Sequence, residues 1–205
     1  MLWTRTKRAY VSAECVDATQ VRMDGPFVVD THRPGIFRST SVAPQSDDVP
    51  FRSVLWSWGE LEAKPVGLGD TAMLTLTESV CWDHRGASSE GTAIKQVCFV
   101  ARRADVNRAE FERRYSAHAE IVRTHHPAVT RYVQNIVVDS QGEGVAAIEA
   151  ISELWFDSVD DYCERYYAHD ISPDIVRTDV TDYLDFTRGF NVMMEPTASS
   201  RAWRQ

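Results

Sequence analysis

The chain of 205 residues has no apolar run near the ~20 residues that a membrane-crossing helix needs, so no membrane partner is expected. It also lacks a basic excess. Its 22 Lys and Arg face 30 Asp and Glu, a net charge of −8, and without a basic patch nucleic acid is not an expected partner. Arg103, Arg108, Arg113 and Arg114 alternate with acids and read as a solvated helix face. The four cysteines (Cys15, Cys81, Cys98, Cys163) are far apart and form no CxxC pair, which points to free, mostly buried thiols instead of disulfides or metal ligands. The opening MLWTRTKRAY is basic but has no apolar core, so no secretory signal is read and a cytoplasmic location is expected. P-loop, Rossmann and nucleophile-elbow patterns are missing too, which leaves nucleotide hydrolysis, hydride transfer and acyl-enzyme chemistry without support.

What is present is an ordinary globular composition, 43% hydrophobic and 25% charged, long enough to bury a sizeable core. DHRGASSEGTA, residues 83–93, is small and polar and marks a seam. Lys plus Arg number 9 against 12 acids before residue 93 and 13 against 18 from there on, so neither half is a charged tail. We therefore divide the chain into residues 1–92 and 93–205.

The second half is the more legible. IKQVCFVAR (94–102) has the β-branched content of a strand. A helix over 107–126 follows, opened by Asn107 and Glu110 at capping-box spacing and closed by Pro127. Phe111, Tyr115, His118 and Val122 fall on one face of it. Residues 128–139 and 146–157 read as strands around an SQGEG turn. Ser158 then caps a short helix, Ser172-Pro173 opens another, and 190–196 form a last strand. The order β-α-β-β-α-β is that of a ferredoxin-like unit, an α+β fold whose sheet has one face covered by helices and one face in need of a partner. In the first half, 8–17, 49–58 and 72–82 look like strands, 18–48 looks like loop, and no long amphipathic helix stands out. A strand containing tryptophan, an acidic stretch and another strand faintly echo the end of the second half, which we read as a degenerate repeat.

AEFERRYSAHAEIVRTHHPAVTRYVQNIVVD followed by AISELWFDS resembles the EthD family of the dimeric α/β-barrel superfamily over about residues 94–197. The pattern is an aromatic-bearing helix with a histidine, a strand with a Tyr-x-x-Asn segment, and an acid-Leu-Trp-Phe-Asp strand. It falls on Phe111, Tyr115, His118, Tyr132, Asn135, Glu153, Trp155 and Phe156. Two features differ. The helix reads His-Ala-Glu-Ile where family members often have His-Ala-Pro-Leu, and the chain is about twice the usual length. A degenerate first copy would supply the partner sheet from within the chain, making an intramolecular dimeric α/β-barrel with Trp56, Trp58 and Leu76 on the covered face. One pocket would stay intact and the other be lost or remodelled. The chain would then be a monomer built as a pseudo-dimer, or else a homodimer.

What the resemblance implies is a cofactor-free lyase, cyclase or isomerase working by proton transfer on an aromatic or polyketide-like small molecule. Its pocket would lie between sheet and helices of the second half. His118 would be the acid/base, Tyr132 and Asn135 would orient the substrate or hold an enolate oxygen, and Phe111, Tyr115, Trp155 and Tyr166 would line the site. On residue pattern alone each has a plainer role. His118 could be a core histidine bonded to a carbonyl or to Tyr132, Asn135 a strand-end hydrogen bond, and the tyrosines ordinary core. His125 and His126 suit the helix C-terminus. No metal is expected, because no Asp, Glu or Cys completes a ligand spacing with the histidines. Glu149 and Glu153 share a strand face, and exposure is expected for both. Two other readings stay open: a non-catalytic protein that binds a small ligand, and a haem-binding or cofactor-free monooxygenase.

Overall fold

The computed structural model describes residues 4–17, 19–23, 25–37, 46–59, 65, 67, 69–85 and 93–199. The seam at 83–93 lies largely outside them. Its first residue ends a strand, and 86–92 are not described.

Eight strands and three helices make an α+β molecule whose strands close into one antiparallel barrel. The strands are β1 (Thr4–Ser12), β2 (Phe27–His32), β3 (Ser53–Trp58), β4 (Ala72–Asp83), β5 (Ile94–Ala101), β6 (Arg131–Gln141), β7 (Ile148–Phe156) and β8 (Phe190–Ser199). Helix α1 (Arg108–His125) joins β5 to β6, while α2 (Val159–Glu164) and α3 (Ser172–Thr181) join β7 to β8. Around the barrel the order is β1-β3-β2-β8-β5-β7-β6-β4, and closure leaves no unpaired sheet edge.

The local signals act as read. The Asn107 side chain accepts the Glu110 backbone N–H at 2.9 Å and caps α1, and the His126 backbone N–H returns to Val122 to close it before Pro127. The pleat of the second-half strands sends Gln96, Cys98, Tyr132, Gln134, Ser152 and Leu154 outward to the helices. Lys95, Val97, Val133, Asn135, Ile151, Glu153 and Trp155 face the other way, into the barrel. α1 and α3 pack side by side over the outward face.

The first half needs correction in one element. FVVDTH, which lies in the stretch expected to be loop, is strand β2 and joins the halves by pairing with β8. Pro26 and Pro34 bracket it and Asp30 interrupts its apolar pattern, which disguises a strand with Val28 and Val29 fully buried. No helix occurs in this half among the described residues. Instead, Val16, Val21 and Met23 of the β1–β2 connection pack on Tyr10, Val29 and Leu55 and cover the outer sheet face.

Each half carries the same order of its own strands, fourth-first-third-second: β4-β1-β3-β2 and β8-β5-β7-β6. The registers agree as well. Lys7 stands opposite Trp58 and Lys95 opposite Trp155, while Ala9 faces Trp56 as Val97 faces Glu153. Asp30 pairs with Val54 and Pro196, and Asn135 pairs in the same way with Ile151 and Glu78.

An eight-stranded barrel has an interior just wide enough for side chains. Here Trp56, Leu74, Leu76, Val97, Phe99 and Met194 from both halves fill most of it. A chain of charges runs through the rest. Glu153 accepts from Lys7 and, at 2.8 Å, from Lys95; Lys7 also reaches Glu78 at 3.0 Å, and Lys95 reaches Asp30. Arg5 closes the chain on Glu78. The Lys7 ammonium lies 4.1 Å from the Trp56 ring, and Lys95 lies 4.5 Å from Trp155. Glu153 is therefore 3% exposed, against the expectation of a solvated acid, because two lysines from facing strands meet it inside the barrel. Burial resists its ionisation more than any other single influence, but Lys7 and Lys95 together hold the carboxyl well below the usual range. Asp30 goes the other way, since burial outweighs its Lys95 contact and raises it. The four cysteines are free, and Cys15 and Cys163 are exposed instead of buried.

Candidate active site

Between the outward face of the second-half sheet and helices α1 and α3 lies a cavity of about 120 Å³. An apolar cavity of roughly 150 Å³ can hold benzene, so the space is of single-ring size. Val122, Leu154, Val176, Val180 and Leu184 make its walls apolar.

His118 borders this cavity from the middle of α1. Its Nδ1 lies 2.6 Å from Oδ2 of Asp179, in the last turn of α3, and its side chain is 13% exposed. A carboxylate can only accept, so Nδ1 is the donor of this contact and Nε2 is the ring nitrogen left over. Among the described residues Nε2 has no hydrogen-bond partner. The acid thus fixes the orientation of the imidazole beside the cavity.

A second polar group sits on the sheet. The Tyr115 hydroxyl shares a 2.6 Å hydrogen bond with Ser152, the Tyr132 hydroxyl a 3.4 Å one with the same serine, and the Gln134 amide donates to the Tyr132 hydroxyl at 3.2 Å. Burial pushes both phenols up, so they stay protonated. Tyr183, just beyond α3, also borders the cavity. It is 1% exposed, and its hydroxyl has no hydrogen-bond partner among the described residues.

The structure brings together His118, Tyr115, Tyr132 and Tyr166 around one cavity. Phe111 lies behind it, stacked on Tyr115 at 5.6 Å and set edge-on to Tyr183 at 6.1 Å, and so acts as a buttress. Asn135 and Trp155 are elsewhere, on the interior face of the barrel. There the Asn135 amide donates to the Ile151 carbonyl at 2.9 Å and to Glu153 at 3.1 Å, and Trp155 covers Lys95. Strand alternation separates them from His118, with the whole sheet between. His126 does more than cap. Its ring is buried, borders the cavity, contacts the Tyr166 carbonyl through Nδ1 at 3.0 Å and packs edge-on to Tyr166. His125 contacts the Ser172 hydroxyl at 3.0 Å.

Sequence reasoning missed Asp179 and Tyr183. The available signal was helical spacing: Val176, Asp179, Val180 and Tyr183 recur at three- and four-residue steps, with an acid inside an otherwise apolar stripe. Among the described residues no group of three or more His, Cys, Asp or Glu side chains is placed to hold a metal ion. No described helix is long and apolar enough to cross a membrane.

The closed barrel carries a helix-walled cavity, bordered by His118, on the outside of its sheet. Residues 103–186 match the family model of the EthD domain, and over this segment the chain is similar to that family within the dimeric α/β-barrel superfamily. The matched stretch contains the three described helices with His118, Asp179 and Tyr183, so the similarity covers most of the cavity wall and points to small-molecule binding or cofactor-free catalysis. No curated protein matches the chain.

Proposed function

We propose that the chain is a cofactor-free lyase, cyclase or isomerase that moves a proton on an aromatic or other planar enolisable molecule, with His118 as the base. The observation that carries this is the Asp179–His118 contact at the edge of an apolar cavity. Nε2 takes a proton from carbon beside a carbonyl, and the C–H electrons pass to the carbonyl oxygen as an enolate. Asp179 holds the resulting imidazolium. Return of the proton to another carbon isomerises the substrate, and loss of a β-hydroxyl as water dehydrates it. Tyr132 and Tyr115 orient the ring, and Asn135 has no part in the chemistry.

The test is solvent-deuterium exchange into the α-carbon of single-ring ketones, followed by proton NMR. Wild type should accelerate exchange, and His118→Ala should lower the rate by about 10²–10⁴, the range of a positioned general base. Asp179→Asn should fall between the two. Exchange no faster than in buffer would sink the acid–base reading and favour a non-catalytic ligand-binding protein.

We also infer that residues 1–92 and 93–205 are two ferredoxin-like copies fused into an intramolecular dimeric α/β-barrel, the first stripped of its helices. Support comes from the shared strand order and from the matched positions of Lys7 with Lys95, Trp58 with Trp155, and Asp30 with Asn135.

A further inference from the structure

We propose that the Tyr183 hydroxyl is the donor that fixes the ligand's oxygen, and that the ligand is a neutral, single-ring carbonyl compound and not an acid or a phosphate ester. The ligand class rests on the His118 reading for its chemistry but not for its binding. Three observations support it.

First, Tyr183 lines the cavity, and its hydroxyl is buried with no hydrogen-bond partner among the described residues. Tyr115 and Tyr132, by contrast, spend their hydroxyls on Ser152. A buried donor left unmade is costly, and native structures keep one only where something else completes it. Phe111 set edge-on to the ring, with Val180 and Tyr115 in the same cluster, holds that hydroxyl in place.

Second, Tyr183 and His118 border the same cavity, and burial, followed by the charge of Asp179, which orients His118, disfavours loss of the Tyr183 proton. The site thus offers a lone pair at His118 Nε2 and a phenolic O–H at Tyr183. These are the two groups an enolisable carbonyl needs: one to take the carbon-bound proton, one to meet the oxygen as negative charge builds on it.

Third, no lysine or arginine is among the described residues that line the cavity. The one acid there, Asp185, is already bound to Thr187 and Arg188. A carboxylate or phosphate placed inside would be desolvated with no lysine or arginine to meet it and with Asp179 already on His118, whereas a neutral carbonyl loses little.

The probe is acetophenone carrying a 13C label at the carbonyl, with benzoate as its anionic counterpart. Infrared spectra of the bound carbonyl should show a stretch lowered in wild type and restored towards the free value in Tyr183→Phe. Affinity for acetophenone should drop about 5–10-fold in Y183F, the worth of one neutral hydrogen bond. Exchange of its methyl protons should slow by about 10²–10³, as for loss of one oxyanion donor. Y183F should unfold at the same temperature as wild type or higher, since it removes an unpaired hydroxyl, so lost binding cannot be assigned to misfolding. Benzoate should bind far more weakly than acetophenone. The inference falls if acetophenone does not bind, if benzoate binds as tightly, or if the bound carbonyl stretch is the same in wild type and Y183F. A Tyr183-dependent stretch without any proton exchange would support the donor and overturn only the acid–base reading of His118.

Discussion

Replacing Glu153 by glutamine keeps the shape of the side chain and removes one charge from the middle of the barrel. The acid accepts from both Lys7 and Lys95, each 1% exposed, and from the Asn135 amide. Without it, Lys7 keeps only Glu78, which it shares with Arg5, and Lys95 keeps only Asp30, whose ionisation burial opposes. Breaking a buried ionic group by removing one partner costs about 3–5 kcal/mol. For a chain of this size each kcal/mol lowers the melting temperature by about 2–4 °C, so a fall of roughly 6–20 °C is expected. Urea unfolding at neutral pH should show a lower midpoint with an unchanged slope. The pH dependence has a definite sign. Glu153 is held below its ordinary range in the folded chain. Its contribution is therefore present above the unfolded carboxyl value of about 4.3 and is lost as pH falls through the folded value. Wild type should lose stability below about pH 4 more steeply than Glu153→Gln. The double change Lys7→Met with Glu153→Met leaves Lys95 on Asp30 and Arg5 on Glu78, so it should recover most of the loss. A cost under about 1 kcal/mol for Glu153→Gln, as at a solvent-exposed pair, would refute the reasoning.

Two further expectations come from the fold. Gly142 has a φ of +101°, and a Cβ there would lie 2.9 Å from the Cα and Cβ of Ala72. Gly142→Ala should cost at least ~2 kcal/mol in urea unfolding, backbone strain plus a clash in the β6–β7 turn, and a loss below ~0.5 kcal/mol would show that the turn can rearrange. The closed barrel already covers its interior face from within the chain, so light scattering should give the mass of one chain, 23.2 kDa. A doubled mass that persists at low concentration would speak against a self-contained pseudo-dimer.

The signals legible in the sequence were the local ones. Asn107 with Glu110, Pro127, and the alternation of AISELWF act within a few residues, and the elements they specify stand where they were read. The match at residues 103–186 falls on the segment where those signals are strongest. What escaped notice depends on distant partners. A lone charge in an apolar strand reads as solvent-facing until its counterion is known, and Lys7 meets Glu153 from 146 residues away. Asp30 hid a strand for the same reason. His118 could be singled out by its helix face, but the acid that orients it lies 61 residues further on, on a helix whose packing only the fold reveals. Strand alternation puts Asn135 on the side opposite Tyr132 and Gln134. Only the closed barrel shows that its side is the interior and not the cavity.

The covering of the first-half sheet by Val16, Val21 and Met23 sets how the molecule would respond to ligand. A symmetric pair of α/β subunits carries two equivalent sites, and events at one can be felt at the other. Here a stretch of connecting chain packs on the outer face of the first-half sheet, and the cavity bordered by His118 lies on the second-half sheet. Saturation should follow a simple hyperbola with one equivalent per chain and a Hill coefficient of about 1, since coupling needs two sites to couple.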